Sequence, residues 1–398
     1  MLVRLALQQV AHRPGLTFLS ALLVAIAVVI LMSTWMLTQQ VHRVLTRDAQ
    51  GVDLVVGAKG SPLQLMLAAL YHVDVPPGNI AFGELEALRQ RRFVAQVIPL
   101  SLGDTVAGFR IVGTTQAYAE LYQAELSAGQ WMQAPMQAVV GELAARTLGL
   151  KPGATFIGQH GLGRDGPAHD DHLYTVTGVL KRTGTVLDRL VLTPLESVWQ
   201  VHEGEPADEE ERRQLEESRE VTAVLVRYSS PLAAASLPRA INAEPGLQAA
   251  SPAVQSARLV QLMEPLMTVL QGIGAAVAVG AALSIWVVLW QALEQRRRES
   301  AVLKTLGARA GWLARLFVAE GMLTAGLGVL LGLVFSAALV VIFAFRIDAS
   351  VRLADLVLVA APAGLALVVG ALLLGALAAA LPAWRAARVQ VADVLNET

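Results

Sequence analysis

The chain has 398 residues, of which 55% are hydrophobic and only 16% charged, with a formal net charge of -1 at neutral pH. That balance is too apolar for an ordinary soluble domain and indicates a membrane protein. With no cysteine present, disulfides and thiolate metal sites are excluded, and redox chemistry does not report the compartment.

Residues 1–15 carry Arg4 and Arg13 ahead of the first apolar run, Leu16–Leu37. That run exceeds the roughly 7 to 15 residues of a signal-peptide core, and its exit, Ser33-Thr34-Trp35-Met36, lacks a small-x-small cleavage site. It is expected to be an uncleaved span, with its amino end held in the cytoplasm by the two arginines. Three further stretches, 266–293, 313–345 and 356–381, supply the roughly 20 apolar residues that a helix needs to cross a bilayer. The expected fold is therefore an α-helical membrane protein with four transmembrane helices plus a large α+β extracytoplasmic domain, residues 38–265, between spans 1 and 2.

Charge supports that topology. Residues 39–265 contain 19 Lys/Arg and 25 Asp/Glu, whereas the short segment 294–312 is strongly basic, and short-loop cations mark the cytoplasmic side. Within the insert, alternating or β-branched runs predict strands over Asp53–Val56, Phe93–Leu100, Thr105–Thr114, Ala138–Gly141, Tyr174–Leu180, Arg189–Thr193 and Val221–Tyr228. Helical patterns fall at Phe82–Arg91, Glu142–Leu148 and Leu232–Asn242. The run Glu203–Glu220, with nine acids and three arginines, reads as a solvated helix or loop. At the two ends of the insert, Thr38–Asp48 and Ala253–Met267 read as helices continuing spans 1 and 2 outward as a stalk, with Pro265 expected to kink the second.

The stretch His160-Gly161-Leu162-Gly163-Arg164-Asp165-Gly166-Pro167-Ala168-His169-Asp170-Asp171-His172 concentrates imidazoles and carboxylates. It reads first as a solvated polar connection between strands. If a metal binds here, His160, His169, Asp170 and His172 are the candidate ligands.

The segment 294–312 sets Arg296, Arg297, Arg298, Lys304, Arg309 and, just beyond, Arg315 against Glu294 and Glu299. Leu303–Leu306 ending in Gly307 reads as a short amphipathic helix with a glycine stop. In the third span Glu320 is an intramembrane carboxylate near a helix end, with Arg315 as its expected partner. Gly328 and Gly332 form a G-x-x-x-G that permits close helix packing, against another span or a second copy. The short loop 346–355 lies outside, and the tail 382–398 ends inside with Trp384, Arg385 and Arg388 as an interfacial anchor. No Walker-type G-x-x-x-x-G-K-[ST] occurs, since Gly57-Ala58-Lys59-Gly60-Ser61 has the wrong order, and no hydrolase constellation stands out.

Arg298-Glu299-Ser300-Ala301-Val302-Leu303-Lys304-Thr305-Leu306-Gly307-Ala308 resembles the R-x-x-E-x-A-x-L-K-x-L-G-A segment of MacB/FtsX-type ABC transporter permeases, the group that includes lipoprotein-releasing permeases. Pro382-Ala383-Trp384-Arg385-Ala386-Ala387 resembles that family's P-A-x-x-A-A ending, and Val139-Val140-Gly141-Glu142, Gly153 and Tyr174–Leu180 look like its periplasmic core. The resemblance implies a non-catalytic permease in the cell inner membrane, driven by a separate cytosolic ATPase that uses ATP and Mg. The chain itself is expected to bind no cofactor. The family-like loop implies ATPase coupling through Glu294, Arg298, Glu299, Leu303, Lys304, Leu306 and Gly307, while Glu320, Gly328 and Gly332 are expected to serve helix packing. Implied partners are a second permease copy or paralogue, a periplasmic adaptor or substrate protein, and membrane lipid, with no nucleic acid. The alternative is an FtsX-type regulator that controls a hydrolase or reports a ligand without transport.

Overall fold

The computed structural model describes residues 2–161, 168–202, 208–296, 304–305, 309–347 and 353–388, with side chains for all of these except 168–170, 310, 340, 343–347 and 353–359. They divide into two compact units, 1–41 with 263–398, and 42–262.

The first unit is helical. Helix α1 (Leu2–Ala11) precedes α2 (Pro14–Asp48), and α10 (Pro252–Gln295), α11 (Ala310–Ile347) and α12 (Leu353–Arg388) complete it. Four of these are long and apolar enough to cross a membrane. Sequence periodicity missed α1, which packs on α11 through a face that buries Ala6. Helix α2 runs unbroken through Thr38–Asp48, and α10 continues across Pro265. The shared core is built from small and branched residues, among them Val24, Val28, Ala281, Ile285, Phe317, Ala325, Val329 and Ala379. Leu365, Leu373 and Leu377 on α12 remain exposed, as suits a surface facing lipid, which solvates Leu as well as a protein interior does.

The second unit is mixed α/β. In chain order its elements are β1 (Leu54–Ala58), α3 (Pro62–Ala69), β2 (Ile80–Ala81), α4 (Phe82–Arg89), β3 (Val94–Val106), β4 (Phe109–Thr114), α5 (Gln116–Leu121), β5 (Leu126–Gly129), β6 (Gln137–Val140) and α6 (Glu142–Leu148). Then follow β7 (Thr155–His160), β8 (Ala168–Leu180), a 3-10 turn at Val186–Arg189, β9 (Leu190–Pro194), α7 (Leu195–His202), α8 (Glu209–Ser218), β10 (Glu220–Val221), β11 (Ala223–Tyr228), α9 (Ala233–Asn242) and β12 (Leu247–Ala250). The main sheet has the order β12-β1-β11-β3-β4-β9-β6-β8-β5, with β7 pairing both β3 and β8.

Local chemistry explains several boundaries. Ser61 caps α3 by accepting from the Gln64 amide, with Pro62 in the first turn where its missing N–H costs nothing. Asp208 caps α8 in the same way, and Glu209, Glu210 and Glu211 complement the positive end of the helix. The expected strand Thr105–Thr114 is in fact two: β3 ends at Val106, and Ala107 and Gly108 turn at positive φ into β4.

Strand β3 is shared between two hydrophobic cores. Its first half pairs with β11, and Val97 joins Leu54, Val56, Leu85, Val224 and Leu237. Its second half pairs with β4 and β7, beside the core of Ile111, Val140, Phe156, Tyr174 and Val191.

Candidate functional site

In the helical unit, the polar groups gather where α10 ends and α11 begins. Arg13 donates to the Gln295 side chain. Arg296 donates to Glu320 at 3.3 Å, and both side chains are largely withdrawn from solvent. The sequence suggested Arg315 as the partner of Glu320. The structure assigns that role to Arg296, because α10 lies against this part of α11 and delivers its last residues to the carboxylate. Lys304 Nζ donates to the carbonyl of Ala387 on α12 at 3.0 Å. Arg385 stacks over Trp290 at 4.3 Å, and Arg388 over Trp384 at 4.2 Å. Of the coupling residues expected from sequence, Glu294 closes α10 and Lys304 makes this contact, while Arg298, Glu299, Leu303, Leu306 and Gly307 lie outside the described residues.

The same unit is held together by close backbone approach. A Cβ on Gly328 would fall 2.5 Å from Val24 Cβ, and one on Gly332 2.7 Å from Val28 Cβ. The G-x-x-x-G therefore packs on α2 of its own chain. Gly375 on α12 meets Gly321 on α11 in the same way, each placing a carbonyl 2.5 Å from the other's would-be Cβ. Gly375 carried no sequence motif. Ser20 and Ser284 share a 2.8 Å hydrogen bond between α2 and α10, of the kind that links spanning helices.

In the α/β unit, a cavity of about 620 Å³ is lined by Val75, Ser101, Arg110, His160, His202 and Arg219 among others. Three features build one wall. Antiparallel pairing of β3 with β7 sets Asp104 opposite His160. Gly113 on β4 leaves room for Val198 of α7, whose Cγ2 would lie 2.6 Å from any added Cβ. One turn on, His202 ends α7 and comes to rest beside that pair. His160 Nδ1 lies 3.2 Å from Asp104 Oδ1, His202 Nε2 lies 3.9 Å from the same oxygen, and the two ring nitrogens are 3.5 Å apart. Asp104 is buried, whereas both imidazoles are substantially exposed.

Around this wall, Arg110 is buried and donates to the Asp74 carbonyl, and burial holds its guanidinium below the usual arginine range. Tyr174 is wholly buried, and that burial, then the Asp104 carboxylate, pushes its phenol upward. The sequence grouped His160 with His169, Asp170 and His172. Among the described residues the fold brings His160 to Asp104 and His202; the side chains of His169 and Asp170 lie outside the described residues, and His172 sits on β8. The missed partners left one usable signal, a single acid, Asp104, within the largely apolar strand Val94–Val106.

Comparison with known proteins places these two units. Residues 17–244 match the MacB-like periplasmic core domain, and residues 272–391 match the FtsX-like permease C-terminal domain. No curated protein is significantly similar to the chain. Among solved structures, the periplasmic region of MacB from Actinobacillus actinomycetemcomitans is similar at 13% identity and a TM-score of 0.35, covering 55% of this chain and 97% of that one. The extracellular domain of the ABC-type transporter YknZ from Gram-positive bacteria is similar at 14% identity and a TM-score of 0.30, covering 50% and 98%.

Proposed function

The chain belongs to the MacB/FtsX-type family of ABC transporter permeases, and from that premise we propose that it is the membrane subunit through which a separate cytosolic ATPase moves an extracytoplasmic α/β domain. The segment 294–312 is the docking surface for the ATPase. The domain acts on cargo taken from the outer leaflet or the space beyond it, in the plasma membrane of its cell. The chain hydrolyses nothing itself.

One observation carries this reading: both passages of the chain between the two units, at residues 41–42 and 262–263, fall inside the unbroken helices α2 and α10. An unbroken helix transmits axial and tilting displacement, whereas a flexible linker dissipates it. The contacts of Arg296 with Glu320 and of Lys304 with Ala387 tie the docking segment to α11 and α12, so a push on it reaches the whole helical unit. The exposed leucines of α12 leave a face for lipid or for a second permease copy.

The test is coexpression with the cognate ATPase, followed by detergent pull-down and ATP turnover. Leu303→Asp inserts a charge into an apolar contact, and Glu299→Lys reverses one. Each is expected to insert normally, because the segment stays basic, and to lose both ATPase recovery and stimulation. Wild-type-like recovery with unchanged turnover would refute the docking role.

A further inference from the structure

We propose that Asp104, His160 and His202 form a binding site for a divalent transition-metal cation of the zinc class beside the cavity.

The geometry is that of a ligand set. The nearest point equidistant from Asp104 Oδ1, His160 Nδ1 and His202 Nε2, in their common plane, lies about 2.1 Å from each, the length of a zinc bond to imidazole nitrogen or carboxylate oxygen. A simple His–Asp ion pair needs no second imidazole at that point. Here His202 arrives from a different element, 42 residues beyond His160 in sequence.

The orientation of His202 is fixed independently of any metal. Its Nδ1 lies 2.8 Å from the carbonyl of Val198. A carbonyl only accepts, so Nδ1 carries the proton and Nε2 presents a lone pair to the cluster whenever the ring is neutral. That arrangement, a ligand imidazole oriented through its far nitrogen by a backbone carbonyl, is how metal-binding histidines are held. His160 Nδ1 faces Asp104. A neutral His160 ring carrying its proton on Nε2 offers Nδ1 to the ion, and the ion then takes the place of the proton between His160 and Asp104.

The donor chemistry selects the cation. Two imidazoles and one carboxylate suit zinc and its neighbours, whereas calcium and magnesium demand oxygen shells that this wall does not offer. Among the described residues, the other cations of the cavity are engaged elsewhere: Arg110 with the Asp74 carbonyl, and Arg219 over the Trp199 ring at 4.7 Å. Among the described residues these three supply the ligands, and tetrahedral zinc takes a fourth from a further side chain, water or a bound molecule.

The experiment uses the full chain in detergent, purified without a histidine tag, stripped with chelator and titrated with cobalt(II) and then zinc. We expect about one cobalt per chain with the intense visible absorption of a four-coordinate site, bleached by zinc, and X-ray absorption of the zinc form showing two imidazoles. His202→Ala and Asp104→Asn should each weaken binding by at least on the order of 10-fold, the lower end of what even an outer-shell partner costs. His202 is partly exposed, so its variant should unfold like the metal-free wild type. The double variant His169→Ala/His172→Ala should bind like wild type. Absence of stoichiometric uptake by the wild type overturns the site, as does uptake that survives both His202→Ala and Asp104→Asn, or that is lost only in the His169/His172 double variant.

Discussion

Arg296 donates to Glu320 at 3.3 Å, and the two side chains keep only 14% and 6% of their exposure. A charge so withdrawn is tolerable only while it is paired, and removing one partner of a buried ion pair costs about 3–5 kcal/mol. Glu320→Lys should therefore lower the thermal stability of the detergent-solubilised chain sharply. The swap Arg296→Glu with Glu320→Arg should recover part of the loss. Equal stability of the single and swapped variants would show that the pair contributes nothing.

Gly328 and Gly332 admit α2 to within contact of the α11 backbone, with the carbonyls of Ala21 and Ala25 only 2.6 and 2.9 Å from the positions of the missing Cβ atoms. Even a methyl group must push the helices apart, and overpacking of this kind costs about 1–3 kcal/mol. Gly328→Ala and Gly332→Ala should each lower the melting temperature, and Gly364→Ala, which meets only the tip of Leu333 at 3.9 Å, should not.

In the α/β unit His72 is buried, shares a 2.9 Å hydrogen bond with Tyr118, and is pushed down to about 3 by burial first and then by Arg110 and Arg189. The unfolded chain takes up that proton near pH 6.5 and the folded chain does not. Its contribution is thus complete above pH 6.5 and declines at up to about 1.4 kcal/mol per pH unit as pH falls toward about 3. Thermal unfolding of His72→Gln, which cannot take the proton, should show a shallower acid limb than the wild type. Parallel limbs would refute the assignment.

Because the chain has no cysteine, single cysteines report sidedness without background. Lys151→Cys should react with a membrane-impermeant maleimide added to intact cells, while Ser300→Cys should react only after permeabilisation. The reverse pattern would overturn the topology on which the coupling reading depends.

The membrane helices were legible because twenty-odd apolar residues have few other fates in water, and most strands showed through their alternation. What stayed hidden follows from long-range pairing. Nothing local in Thr155–His160 announces a strand, since Gly158 and Gln159 break the apolar alternation, yet its pairing with β3 decides that His160 meets Asp104, 56 residues away. His169 and His172 stand near His160 in the chain, whereas Asp104 lies 56 residues before it and His202 42 residues after, beyond the reach of any local pattern. Likewise Arg315 looked closer to Glu320 along the chain than Arg296, and helix packing reversed that order. Gly375 escaped notice because its partner glycine lies on a different helix, so no spacing within one segment records the contact.

Strand β3 has a consequence for how the domain comes apart. Its thirteen residues pair with β11 through the first half and with β4 and β7 through the second, so one continuous strand is common to both cores. The amide hydrogens of Val97, Ile98, Leu100 and Leu102 should thus exchange with deuterium only through opening of the whole domain, more slowly than those of the edge strands β5 and β12.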